Sequence, residues 1–127
     1  MARDKITVYN YTYENTDSAG VVAITKQAVT QANGIEISNA FANKDNSLII
    51  TIDNTASAAS TVTIKAGEKQ NAILGDCTLA LKTGINSIAL NRDMARFENK
   101  DGSVYLDFAT GFTGNIWASA EKAGLGS

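Results

Sequence analysis

A chain of 127 residues with 44% apolar and 19% charged side chains is long enough to bury a core of its own and too apolar for a disordered segment. A net charge of −2, a pI of about 5.0 and the lack of any Lys/Arg cluster argue against a phosphate-neutralising surface, and so against nucleic acid as a partner. There is no histidine and no proline, and Cys77 is the only cysteine, so the chain can build neither a Ser-His-Asp triad nor an intrachain disulfide.

The first run, "KITVYNYTY" at 5–13, alternates Ile6, Val8, Asn10 and Thr12 against Thr7, Tyr9, Tyr11 and Tyr13. Its β-branched and aromatic content predicts a strand, with a tyrosine-rich face that is apolar in body and polar at its tips. Residues 14–20 read as a loop. Residues 21–33 fit two patterns: Val21, Ile24, Ala28 and Val29 lie at helical spacing, while Val22, Ile24 and the β-branched content fit extended chain. An extended or irregular segment with one helical turn is the expectation. Asn33-Gly34 signals a turn, and "IEIS" alternates again, with Ile35 and Ile37 inward.

After a loop over 39–47 comes "SLIITIDNTASAASTVTIK", 47–65. Leu48, Ile50 and Ile52 share one face of its first arm, and Val62 and Ile64 share one face of its second. The two arms predict a long-turned hairpin forming one inner wall, with the threonines outward. Residues 66–76 form a connection that Ile73 and Leu74 are expected to anchor to the core. "CTLAL" at 77–81 puts Cys77, Leu79 and Leu81 on one face. "INSIAL" at 85–90 needs a bulge to bring Ile85, Ile88 and Leu90 inward. "ARFE" predicts a short strand around Phe97. Asp101-Gly102 is the strongest hairpin signal, and the strands "VYLDF" at 104–108 and "NIWAS" at 115–119 follow.

Eight or nine short strands, punctuated by turn signals about every 8–12 residues, predict an all-β antiparallel β-sandwich of jelly-roll or immunoglobulin-like topology, with a small β-barrel as the alternative. The expected organisation is a single domain: an N-terminal strand or arm over 1–20, the sandwich over 21–119 and a fraying tail over 120–127. No apolar stretch approaches the roughly 20 residues of a membrane-spanning helix. "MARDKITVYNYTYEN" lacks an apolar core of signal-peptide length, and one unpaired cysteine fits assembly in a cytoplasm. A membrane partner is not expected.

Catalytic signals are weak. Cys77 opens an apolar strand face and reads as a small buried hydrophobe. Nearly all of the 13 acidic residues fall in turns or on outward strand faces. Glu98, Asn99 and Asp101 before Gly102 loosely follow a calcium loop, but the first ligand position would fall on Phe97, and the segment reads as a hairpin turn. No catalytic residue, cofactor or metal is expected. The aromatic set Tyr9, Tyr11, Tyr13, Tyr105 and Trp117 reads as core or interface anchors, or as a stacking platform for carbohydrate.

Residues 46–118 resemble a family of small tailed-bacteriophage virion proteins. The resemblance rests on "SLIITIDNTASAASTVTIKAGE", where an I-x-N-T strand end leads through an Ala/Ser spacer to TVTIKAG. It continues in "ARFENKDGSVYLDFATGFTGNIWA", with its hairpin and G-F-T-G-x-I closing turn. It implies a β-sandwich head decoration (cement) protein without an active site, made in the host cytoplasm and located on the capsid surface of the virion. Its partner would be the major capsid protein, and a homo-trimer or other homo-oligomer would be its working form. The expected contact element is the N-terminal segment, through Ile6, Val8, Tyr9, Tyr11, Tyr13, Val21, Val22 and Ile24, by added strand pairing. Two other readings stay open: a carbohydrate-binding or host-contact β-sandwich module, and a tail or fibre component.

Overall fold

Period-two alternation becomes strand along most of the chain. The computed structural model describes residues 3–11, 22–40, 48–90 and 96–121. In chain order the strands are β1 (Asp4–Tyr11), β2 (Gln27–Ala28), β3 (Ile35–Ser38), β4 (Leu48–Asn54), β5 (Ser60–Ile64), β6 (Cys77–Leu81), β7 (Gly84–Leu90), β8 (Val104–Phe108) and β9 (Gly114–Glu121). A 3-10 turn, Gln70–Leu74, precedes β6, and no α-helix occurs among the described residues.

The strands run in the order β6-β5-β8-β3-β1-β9-β4-β7, and β2 adds to β9. The result is an all-β mixed sheet of nine strands, folded on itself and nearly closed into a barrel. Strand β1 joins its two halves. Asp4 to Thr7 pair with β3, and Val8 to Tyr11 pair with β9, both parallel. Every other pairing is antiparallel. The wholly antiparallel sheet that was expected therefore gives way at β1, because that strand arrives from outside the hairpin succession and threads between two strands already paired elsewhere.

The core lies between the two halves. Ile35, Ile37, Val62, Ile64, Val104 and Leu106 from one half and Leu48, Ile50, Ile52, Ile116 and Ala118 from the other form one buried cluster. Three fully buried side chains sit in register across adjacent strands of the first half: Ile35 opposite Leu106, and Leu106 opposite Ile64. Phe112 closes the end of the core, its ring stacked on Phe108 at 4.5 Å.

Several sequence expectations change once partners are visible. The arms of 47–65 are not a hairpin: β4 pairs β7 and β9, while β5 pairs β6 and β8. Leu48, Ile50 and Ile52 thus belong to the half of the sheet opposite Val62 and Ile64. The corner between them is held by buried Asn54. Its Nδ2 donates to the carbonyls of Ala58 (3.2 Å) and Lys82 (3.3 Å), and its Oδ1 accepts from Ala56 N–H at 3.1 Å. All of its hydrogen-bonding atoms are engaged, which is what makes a buried amide tolerable.

Ile73 and Leu74 do not anchor their connection; they are 91% and 60% exposed. In β7 no bulge is needed, because pairing with β4 is continuous from Gly84 to Leu90. Asn86 takes the inward position expected of Ile85, and Ile85 turns outward. The Asn86 side chain closes the β6–β7 corner, with Oδ1 accepting from Lys82 N–H at 3.0 Å and Nδ2 donating to Lys82 C=O at 2.8 Å. The segment around Phe97 is a turn rather than a strand, although Phe97 is buried as expected. Cys77 is half-buried and packs against the edge of the core. Strand β9 continues through Glu121, past the point where fraying was expected.

Asp76 fastens the start of β6 to the end of β5. Its Oδ1 accepts from Ala66 N–H and its Oδ2 from Lys65 Nζ, each at 2.7 Å. The Ala66 N–H, and after it the Lys65 ammonium, hold the Asp76 carboxyl below its ordinary 3.8. A carboxyl depressed in the folded state contributes stability that is present above 3.8 and lost as pH falls through the folded value. Asp76→Asn is therefore expected to lower the urea midpoint at pH 7, and the gap from the parent protein should close at pH values below the folded pKa. A gap that persists unchanged into acid would show that charge plays no part.

Candidate functional site

A cleft among the described residues follows from the way β9 shares one of its edges. One side of β9 pairs with β4 from Gly114 to Ala120. The other side is divided: β2 takes Asn115 and Ile116, and β1 takes Ala118 to Glu121. Trp117 lies at the gap between them, where β1 leaves β9 to join β3. A strand that changes partners opens a fork, and here the fork forms a cleft of about 210 Å³.

Strand alternation places the side chains that β1 and β9 give to the cleft. Ile6 and Ile116 also border it, but their side chains turn inward and are buried in the core. Tyr9 and Trp117 are half-buried and form the walls of the cleft. Lys5 and Thr7 lie on the outward face of β1, and Thr25, Lys26 and Gln27 come from the segment leading into β2; all five are exposed at the rim. The Tyr9 hydroxyl accepts from Thr25 N–H and donates to Thr25 C=O, both at 3.2 Å. These bonds tie the β2 segment to β1 and hold the tyrosine in place.

The lining carries two ammonium groups and no carboxylate, in a chain whose net charge is −2. Glu36 is the β3 residue opposite Lys5 in the β1–β3 register, and Lys26 is the cation on the β2 side. Aromatic walls and a cationic, hydroxyl- and amide-bearing rim offer stacking, charge and hydrogen-bonding contacts to a ligand. Among the described residues, no three His, Cys, Asp or Glu side chains converge as a metal-ion cluster.

The expected contact residues separate. Ile6 is 8% exposed and part of the core, and Val8 packs against the core, so these side chains do not form the outward contact surface expected of them. Tyr9 lines the cleft. Tyr11 ends β1, its backbone beside Glu121 of β9. Val22 and Ile24 are half-buried in the segment before β2. Tyr13 and Val21 lie outside the described residues. Nor is β1 a detached arm, since both its edges are occupied inside the sheet.

Among the described side chains of the aromatic set, Tyr9 and Trp117 meet in the cleft. Tyr105 faces elsewhere, under the Arg3 guanidinium at 4.7 Å. Arg3 also donates to Leu106 C=O at 2.9 Å and pairs with Asp107. The sequence reading missed Lys5, Thr25, Lys26 and Gln27. Lys5 and Thr7 share Tyr9's face by simple alternation, a signal that was available; the other three lie in the segment of mixed periodicity, where none was.

In the turn over 99–103, Asn99 and Asp101 both bond to Ser103. Asp101 Oδ1 accepts from Ser103 Oγ at 2.6 Å and from Ser103 N–H at 3.1 Å. Asn99 Nδ2 donates to the same Ser103 Oγ at 3.2 Å. The Ser103 hydroxyl and N–H hold the Asp101 carboxyl below its ordinary value.

Comparison of the chain with protein-family models, with curated proteins and with solved structures returns no match.

Proposed function

We propose that the protein is a non-enzymatic virion structural protein that binds the outer surface of an assembled phage capsid and stabilises it. The motifs that resemble decoration proteins become β4, β5, β8 and β9, which furnish both walls of the core. The observation that carries the reading is the state of the sheet's ends. Strands β6 and β7 close the strand order without pairing with each other. Along the chain, β6 is flanked by the exposed Ile73 and Leu74 on one side and by Ile85, 70% exposed, on the other.

An unpaired edge with apolar side chains beside it is a template for strand addition. The contact proposed for the N-terminal segment therefore moves to β6 and β7, whose outer edges pair with no other strand among the described residues. Cementing then follows by mass action. A ligand that binds only the assembled shell stabilises it by about 2.7 kcal/mol when present at a hundredfold its Kd.

The test is co-sedimentation with purified capsids of the phage that encodes the protein. Ile73→Ser/Leu74→Ser and Ile85→Ser should leave the fold intact and weaken capsid binding by about tenfold or more, as truncated interface anchors do. Parent protein that fails to sediment with capsids would remove the decoration reading. Parent protein that binds, with variants that bind equally, would remove the β6–β7 edge from it. Deletion of residues 1–20 is unsuitable, because it removes β1 from the middle of the sheet.

A further inference from the structure

We propose that the fork between β1, β2 and β9 is a binding site for a carboxylated sugar ring, of the uronic acid class. The inference is independent of capsid binding and uses a different face of the molecule.

The lining matches that ligand group by group. A pyranose offers an apolar C–H face, a circle of hydroxyls and, in a uronic acid, one carboxylate. Tyr9 and Trp117 supply flat apolar surface for the first. Thr7, Thr25 and Gln27 supply donors and acceptors for the second, and Lys26 with Lys5 supplies the cationic partner for the third. The cleft, about 210 Å³, falls below the roughly 300–1,000 Å³ of sites for drug-sized ligands. It has room for one ring, with the rest of a polysaccharide running out over the rim. An acidic peptide side chain would use the lysines and leave the aromatic walls unfilled, so the sugar accounts for more of the site.

The site is also preformed in part. Tyr9 is held by both of its bonds to Thr25, so binding need not order it. Trp117 is the only tryptophan of the chain, so emission excited beyond the tyrosine absorption band comes from this cleft.

The experiment titrates the full chain with tri-galacturonate, with neutral trigalactose and with tri-glutamate, following tryptophan emission and, in parallel, binding heat by calorimetry. Tri-galacturonate is expected to give a saturable change in both. Trigalactose should bind about tenfold more weakly or less, the loss of one charge-assisted contact, and tri-glutamate should not saturate. Lys26→Gln, at an exposed position, should weaken tri-galacturonate about tenfold while leaving the melting temperature unchanged. No saturable heat or emission change with tri-galacturonate would overturn the proposal. So would trigalactose or tri-glutamate binding as tightly, or a Lys26→Gln variant that binds like the parent.

Discussion

Gly114→Ala is expected to destabilise the fold by about 3 kcal/mol or more, at the upper end of what overpacking a well-filled site costs. A Cβ on Gly114 would overlap the carbonyl oxygen of Asp53 and lie 3.0 Å from the Phe112 ring. The first obstacle is backbone, so no rotamer change relieves it. Asp53 belongs to β4, and Gly114 faces Asn54 at the end of the β4–β9 ladder. Moving either strand strains a junction on which two further bonds converge: Val29 N–H to Gly114 C=O and Thr55 N–H to Thr113 C=O, both at 2.9 Å.

A neighbouring glycine separates sterics from backbone preference. Gly111 sits at φ 91° with nothing within 4 Å of its would-be Cβ. Gly111→Ala should therefore cost only the left-handed backbone penalty, on the order of 1 kcal/mol. Urea unfolding of both variants checks the difference. Equal midpoints would mean that the β4–β9 end yields freely and that the close approach at Asp53 is not a constraint.

That pair also shows what alternation can and cannot tell. Period two assigns a side chain to a face, and in this chain it does so well: Leu48, Ile50, Ile52, Val62, Ile64, Leu106 and Phe108 are all buried where alternation puts them. It says nothing about which strand lies alongside. The stretch 47–65 reads as a hairpin because its arms are adjacent in sequence, yet both edges of each arm are filled by strands from elsewhere in the chain. The same blindness hides the cleft. Tyr9 and Trp117 are conspicuous as aromatics, but they are 108 positions apart, and only the parallel pairing of Val8 with Ala118 brings their strands together. Thr25, Lys26 and Gln27 reach the rim from a segment that makes only two residues of strand, too little for a periodic signal. Ile6 and Val8 were legible as inward residues from the first run; a strand with one buried face cannot offer that face to a partner as well.

Ile85 and Leu106 look alike in sequence, each an aliphatic residue in an alternating run, and the fold separates them. Leu106→Ala is expected to cost about 3–5 kcal/mol, the range for a large buried side chain whose cavity cannot collapse. Leu106 is fully buried at the centre of its half of the sheet, with Ile35 on one flank and Ile64 on the other, both also fully buried. Strands β3, β8 and β5 fix its neighbours from both sides, so relaxation into the void would have to move a ladder. Ile85→Ala should change stability by less than about 0.5 kcal/mol, because the side chain is largely in water already. Thermal unfolding separates the two by roughly 10–20 °C, taking about 3–5 °C per kcal/mol for a domain of this size. The contrast has a functional edge, since Ile85 is also one of the residues proposed to meet the capsid. If Ile85→Ala proved as damaging as Leu106→Ala, Ile85 would belong to the core, β7 would need the bulge that its sequence first suggested, and the exposed rim of the β6–β7 edge would lose one of its three apolar side chains.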